Sequence, residues 1–224
     1  LNEAVKSYKK TIKINPNFAH AHNNLGNTYI EQGKLDHAVQ SYQKAVEISP
    51  NYSEAHNNLG NAYSELRQFN DAIKSYQKAL EINPNFPALL NNLGNAYREL
   101  GQLNDALQAY LSGLILNTEY VDLLNNIGVI YHELGQYGEA INSYEKAIVI
   151  KPDFADAYNN LGVTFNKLNL YDKAIKAYER AISLNLDFPD PYNNLSIVFR
   201  KLGLINELIG SFKRAILCME RVLI

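Results

Sequence analysis

A two-residue phrase returns every 34 positions along this chain of 224 residues: Leu25-Gly26, Leu59-Gly60, Leu93-Gly94, Ile127-Gly128, Leu161-Gly162 and, with one change, Leu195-Ser196. A fixed period of this length means one small supersecondary unit copied along the chain. Each copy is unable to bury its apolar face except against its neighbours. With the phrase set at repeat positions 7 and 8, the full repeats are 19–52, 53–86, 87–120, 121–154, 155–188 and a divergent sixth, 189–224. Residues 1–18 are then the second half of an earlier repeat.

Inside each repeat the apolar and small residues recur at helical spacing. Position 11 holds Tyr29, Tyr63, Tyr97, Tyr131, Phe165 and Phe199, and position 24 holds Tyr8, Tyr42, Tyr76, Tyr110, Tyr144, Tyr178 and Phe212. Small residues fill positions 8, 20 and 27, as Gly26, Ala38 and Ala45 do in the first full repeat. Closely approaching backbones with large rings beside them account for much of a bias of 16 Tyr against no Trp. The punctuation fits two helices per repeat. Gly33, Gly101, Gly135 and Gly203 at position 15 suit a left-handed residue that ends the first helix; Asn169 can adopt that conformation and Arg67 is strained in it. Asp36, Asn70, Asn104, Asp172 and Asn206 at position 18 read as N-caps of the second helix. Pro16, Pro50, Pro84 and Pro152 at position 32 stop that helix, with Thr118 and Leu186 breaking the column. Pro87 and Pro189 open first helices, where a missing N–H does no harm. The expectation is an all-α chain with helices over repeat positions 1–14 and 18–31.

The order and spacing of Leu25, Gly26, Tyr29, Ala38, Tyr42, Ala45 and Pro50 resembles the tetratricopeptide repeat, and the likeness recurs through six repeats. Within that family, the Asn-Leu-Gly and Pro-Asn-Phe phrases resemble the repeat region of O-linked N-acetylglucosamine transferases and related bacterial proteins. The resemblance implies a right-handed superhelical α-solenoid of antiparallel helix pairs. Its first helices would line a concave groove, with positions 2, 5, 6, 9, 12 and 13 facing it.

Those columns are unusual here. Position 5 is Asn23, Asn57, Asn91, Asn125, Asn159 and Asn193; position 6 is Asn24, Asn58, Asn92, Asn126, Asn160 and Asn194. Position 9 is Asn27, Asn61 and Asn95, then Val129, Val163 and Ile197. An Asn pair in mid-helix has poor propensity, because the side chain competes for backbone hydrogen bonds. Two readings explain its recurrence. One Asn of the pair can bond the neighbouring repeat and set its angle. Alternatively, the amides form a ladder along the groove, each able to pair with a peptide backbone whatever the side chains. The second resembles the Asn ladder of the transferase family at position 6. Position 13 is Glu31, Glu65, Glu99 and Glu133, then Lys167 and Lys201. Such a column is either a solvated face or, through Glu65 and Glu99, a preference for a basic segment. The carboxylate clamp of chaperone-binding relatives is not expected, since position 2 carries no Lys and position 5 is Asn throughout.

The remaining chemistry is sparse. A formal net charge of −2 gives no electrostatic attraction to nucleic acid or to an anionic membrane. No apolar run reaches a membrane-spanning length and no leader pattern opens the chain. The single cysteine, Cys218, permits no internal disulfide. A cytoplasmic or otherwise intracellular location is the expectation. Of the five His, His22 and His56 share position 4 with Leu90, Leu124, Tyr158 and Tyr192, a packing slot; His20, His37 and His132 have no partner at metal-ligand spacing. No cofactor, metal or catalytic residue is expected. The chain starts inside a second helix and its last helix is apolar, with Ile205, Leu208, Ile209 and Leu217. It therefore reads as part of something longer, or as able to self-associate through uncapped ends. The function these features favour is a non-catalytic scaffold that binds an extended segment of a protein partner. Two other readings stand beside it: the substrate-recognition repeats of a larger glycosyltransferase, and a self-assembling architectural solenoid.

Overall fold

A computed structural model describes residues 1–204 together with 207, 210, 213, 214 and 216. Among them are twelve helices and no strand: α1 (Asn2–Ile14), α2 (Ala19–Glu31), α3 (Leu35–Ile48), α4 (Ser53–Glu65), α5 (Phe69–Ile82), α6 (Pro87–Glu99), α7 (Leu103–Leu116), α8 (Val121–Glu133), α9 (Tyr137–Ile150), α10 (Ala155–Lys167), α11 (Tyr171–Leu184) and α12 (Pro189–Leu202). The even-numbered helices are the first helices of the repeats. The chain is an all-α solenoid of paired helices that divides into two compact units, Leu1–Asn117 and Thr118–Ile224. The readings made on Ile205, Asn206, Leu208, Ile209, Phe212, Leu217 and Cys218 lie outside the described residues.

Second helices begin earlier than the N-cap reading requires. Their N-caps are Lys34, Gln68, Gln102, Gln136 and Leu170, none of which makes a side-chain cap hydrogen bond. Asp36, Asn70, Asn104 and Asp172 sit inside the first turn instead. The residue before the cap is the cause. The chain takes a positive φ at Gly33 (69°), Arg67 (56°), Gly101 (71°), Gly135 (76°) and Asn169 (59°). That left-handed residue reverses the backbone so sharply that helix resumes two residues later. The N–H of the cap residue still bonds back into the first helix, as Lys34 N does to Tyr29 O at 2.9 Å. Asp36 and Asp172 then act on the helix dipole rather than as caps. Proline is equally dispensable at the other end. α7 and α11 stop at Leu116 and Leu184, the same repeat position as the rest, although Thr118 and Leu186 replace the proline.

Packing follows the small-residue columns. A Cβ added at Gly26, Gly128 or Gly162 would lie 2.5, 2.5 or 2.6 Å from Cε1 of Tyr42, Tyr144 or Tyr178. Gly60 and Gly94 face Tyr76 and Tyr110 in the same way. Each position-8 glycine is therefore a socket for the position-24 ring of its own repeat. The rings of Tyr42, Tyr76, Tyr110, Tyr144 and Tyr178 are all buried, as are Ala38, Ala72, Ala106, Ala140 and Ala174 beside them.

Within the first unit each second helix packs on the first helix that follows it, α3 on α4 and α5 on α6. Successive first helices also touch, α2 with α4 and α4 with α6. Within the second unit α8 touches α10, and α10 touches α12. Successive second helices make no comparable contact among the described residues. In each unit the first-helix face is thus the tighter one, and the residues on it are brought close together.

Candidate functional site

The asparagine columns lie on this tight face, and several of their amides bond across to the neighbouring repeat. In the first unit Asn58 on α4 donates both of its amide hydrogens backwards to α2, from Nδ2 to Asn23 Oδ1 at 3.1 Å and to Asn27 Oδ1 at 3.3 Å. Asn92 on α6 donates to Asn61 Oδ1 on α4 at 3.2 Å. In the second unit Asn160 on α10 donates to Asn125 Oδ1 on α8 at 3.0 Å, and Asn194 on α12 donates to Asn159 Oδ1 at 2.9 Å. Asn23, which is 0% exposed, passes its own amide on to Glu54 Oε1 at 3.3 Å. Position 6 therefore donates and position 5 or 9 of the preceding repeat accepts. Asn57 Oδ1, in the accepting column, is buried without a donor.

Position 9 has a second role that the sequence did not disclose. Tyr42 Oη donates to Asn27 Oδ1 at 2.7 Å, Tyr76 Oη to Asn61 Oδ1 at 2.9 Å and Tyr110 Oη to Asn95 Oδ1 at 2.6 Å. These three position-24 tyrosines fill their glycine sockets and also reach through to amides on the first-helix face. In the second unit the same column is Val129, Val163 and Ile197. There the buried hydroxyl of Tyr178 makes no hydrogen bond of good geometry, with the Asn166 side chain lying on that side of it. Burial pushes the phenols of Tyr42, Tyr76 and Tyr178 above their ordinary range. The charges of Glu65 and Glu54 add to the effect at Tyr42, and Glu65 adds to it at Tyr76, where the Ser64 hydrogen bond works the other way.

This bonding orients the amides. Asn58, with both hydrogens engaged on α2, has its oxygen unengaged; Asn27, with its oxygen engaged twice, has its N–H groups unengaged. Turning Asn58 over would set its oxygen against two other amide oxygens. Asn24, Asn92, Asn126, Asn160 and Asn194 are half-buried on the same helix face, whereas Asn95 is exposed. In the first unit Asn27, Ile30, Glu31, Tyr42, Asn58, Asn61 and Glu65 enclose a recess of about 350 Å³ between α2 and α4. Glu65 is exposed at its edge. Glu99 is placed differently, since its carboxylate takes Arg67 Nη2 at 3.3 Å. In the second unit the equivalent face is more apolar and more basic, with Val163 half-buried, Ile197 38% exposed, and Lys201 Nζ bonded to Asn166 Oδ1 at 2.9 Å.

The histidines are tied into the framework. His22 and His56 bond through Nε2 to the carbonyls of Pro16 and Pro50 at 3.0 and 2.9 Å. His132 Nδ1 meets Thr164 Oγ1 at 2.9 Å between α8 and α10. Its pKa is lowered, first by burial and then by Lys167, with Glu133 opposing. No helix among the described residues is long and apolar enough to cross a membrane.

Comparison with known proteins places this geometry in context. Family models described as TPR repeat match residues 1–33, 26–67, 94–135 and 128–169. Others described as tetratricopeptide repeat match 53–86, 155–188 and 75–108. A search of curated protein sequences returns no significant match. Among solved structures the chain is similar to MamA, with 31% identity over 71% of this chain and 94% of that one and a TM-score of 0.68. It is similar in fold to YrrB, described as a TPR protein with an unusual peptide-binding site, at 24% identity over 84% of this chain and 97% of that one, TM-score 0.69. The Cut9–Hcn1 assembly of the APC/C shares the fold over 97% of this chain and 43% of the other, at 20% identity and a TM-score of 0.76. The repeat motif, the paired helices and these matches agree: the chain belongs to the tetratricopeptide repeat family.

Proposed function

We propose that this repeat scaffold binds an extended segment of a protein partner along its first-helix face, with the position-6 and position-9 asparagines as contacts to the segment's main chain. The observation that carries this is the recess walled by Asn27, Asn58 and Asn61. Its amides are held by neighbouring repeats with an oxygen left at position 6 and N–H groups left at position 9. A wall that alternates fixed acceptors and donors matches the N–H and C=O groups of an extended chain and is indifferent to side-chain identity. At Asn27, Asn58 and Asn61 one end of the side chain bonds the framework and the other is left for a partner, which combines both earlier readings.

The test is selection from a displayed random-peptide library on the full chain, followed by calorimetric titration of the selected peptides. Asn24→Ala is the informative variant, because no side-chain hydrogen bond of Asn24 to the framework accompanies its half-buried place on α2. Loss of affinity with an unchanged melting temperature is expected. The combined Asn58, Asn92 and Asn126 alanine variant should bind still less, and its stability must be measured alongside. Selection of no peptide, or equal affinity in all variants, refutes the proposal.

A further inference from the structure

We infer that the recess between α2 and α4 receives a cationic side chain, lysine or arginine, of the bound segment. This rests on the groove reading above and adds the chemical class of the partner.

The recess has formal charge of one sign only. Glu31 and Glu65 line it, and no Lys, Arg or His does. Neither carboxylate has a cationic partner within 4.0 Å among the described residues, whereas Glu3, Glu47, Glu81 and Glu99 each do. Glu3, Glu47 and Glu81 each take a lysine three residues away, whereas the exposed Glu139, Glu145 and Glu179 share the unpaired state of Glu31 and Glu65. The two that flank the recess are left uncompensated, and the field of Glu65 reaches the wall, where it adds to burial in raising the Tyr42 phenol.

The rest of the lining suits the same guest. Ile30 offers an apolar surface for a methylene stem. Asn58 cannot turn a donor towards the recess, because both its hydrogens are bonded to Asn23 and Asn27, so it presents its oxygen. Two carboxylates and an amide oxygen around an apolar patch form an acceptor set for an ammonium or a guanidinium, the latter able to bond two acceptors at once. A carboxylate-bearing side chain would find the N–H groups of Asn27 and Asn61 but also repulsion from both glutamates. An apolar one would leave the carboxylates without compensation.

The experiment uses the full chain and three fluorescein-labelled, end-blocked twelve-residue peptides of Gly and Ser. They differ only in three evenly spaced residues, which are arginine, neutral citrulline or glutamate. Anisotropy titrations at 50 and 200 mM salt should rank arginine above citrulline above glutamate, with at least fivefold between the first two. The Glu31→Gln, Glu65→Gln double variant should lose that preference and most of the salt dependence, while Glu139→Gln on α9 should keep both. Equal affinity for the arginine and citrulline peptides overturns the inference and leaves the groove reading intact. So does an arginine preference that survives the double variant, since the charge then acts elsewhere. If display-selected peptides bind and none of these three does, the cationic assignment is likewise overturned. If no peptide of either experiment binds, the groove reading itself fails.

Discussion

Tyr42→Phe and Tyr178→Phe remove the same oxygen from the same repeat column and are expected to shift stability in opposite directions. Both side chains are closed to solvent, at 2% and 0% exposure, so water cannot replace a lost partner. The Tyr42 hydroxyl donates to Asn27 Oδ1 at 2.7 Å. In the Phe variant that oxygen still accepts from Asn58, so no acceptor is orphaned. The loss is then the net worth of one buried hydrogen bond, about 1 kcal/mol. The Tyr178 hydroxyl makes no hydrogen bond of good geometry, with only the Asn166 side chain beside it. Deleting it removes a buried unsatisfied group, whose desolvation costs about 1–3 kcal/mol, and the ring keeps its glycine socket. The variant should be neutral or more stable by about 1 kcal/mol, which sets the two substitutions on the order of 2 kcal/mol apart. Guanidinium denaturation followed by far-ultraviolet circular dichroism measures this. A nearest-neighbour repeat analysis is appropriate because an array need not unfold in one step. Supplying the missing acceptor with Val163→Asn should make Tyr178→Phe costly. If Tyr178→Phe destabilises as much as Tyr42→Phe, the position-24 hydroxyl is not read by position 9 and the reasoning is wrong.

Gly128→Ala should lose about 1–3 kcal/mol, because its Cβ would lie 2.5 Å from the buried Tyr144 ring; Gly138→Ala, with nothing within 4 Å, should gain up to about 1 kcal/mol in the same titration. At high pH the raised phenols of Tyr42, Tyr76 and Tyr178 mean that the native state keeps protons the unfolded chain releases near pH 10. Their contribution is complete below that pH and is lost as pH rises through the native values, so melting temperatures should fall progressively across roughly pH 10–12. On the acid side the lowered His132 contributes stability above about pH 6.5 that is lost as pH falls through its native value. His132→Asn should flatten that limb of the melting curve, and an NMR titration of the ring should show its midpoint below that of an exposed histidine.

The repeat, its helix pairs and its packing columns were legible from the sequence because each repeats the same local physics six times. Leu-Gly at helical spacing with a ring at position 24 admits few arrangements, and a left-handed Gly33 or Asn169 leaves no choice of where the first helix ends. The N-cap reading failed because Asp36 and Asn70 are good caps by type. The position of a cap, however, is set by how fast the preceding left-handed residue turns the chain. The amide network was out of reach for a different reason. Asn58 and its acceptors are 31 and 35 residues apart. A column of identical residues shows neither which member donates nor which end of each amide is left over. Nor does the tyrosine column betray its hydroxyl partners, since Tyr144 and Tyr178 persist where position 9 has become valine.

Where position 9 is asparagine, one tyrosine links two kinds of order. Its ring closes the gap between the two helices of its own repeat. Its hydroxyl holds the amide of Asn27 or Asn61, which the next repeat also grips through Asn58 or Asn92. Opening a repeat therefore releases its neighbour's anchor in the same event, and amide hydrogens of adjacent repeats there should exchange as one block. Where position 9 is Val163, the ring holds its own helices but its hydroxyl finds no amide at that position to pass the link on. A substitution at that tyrosine is expected to loosen a single repeat, so the two versions of the same motif would differ in how far damage travels.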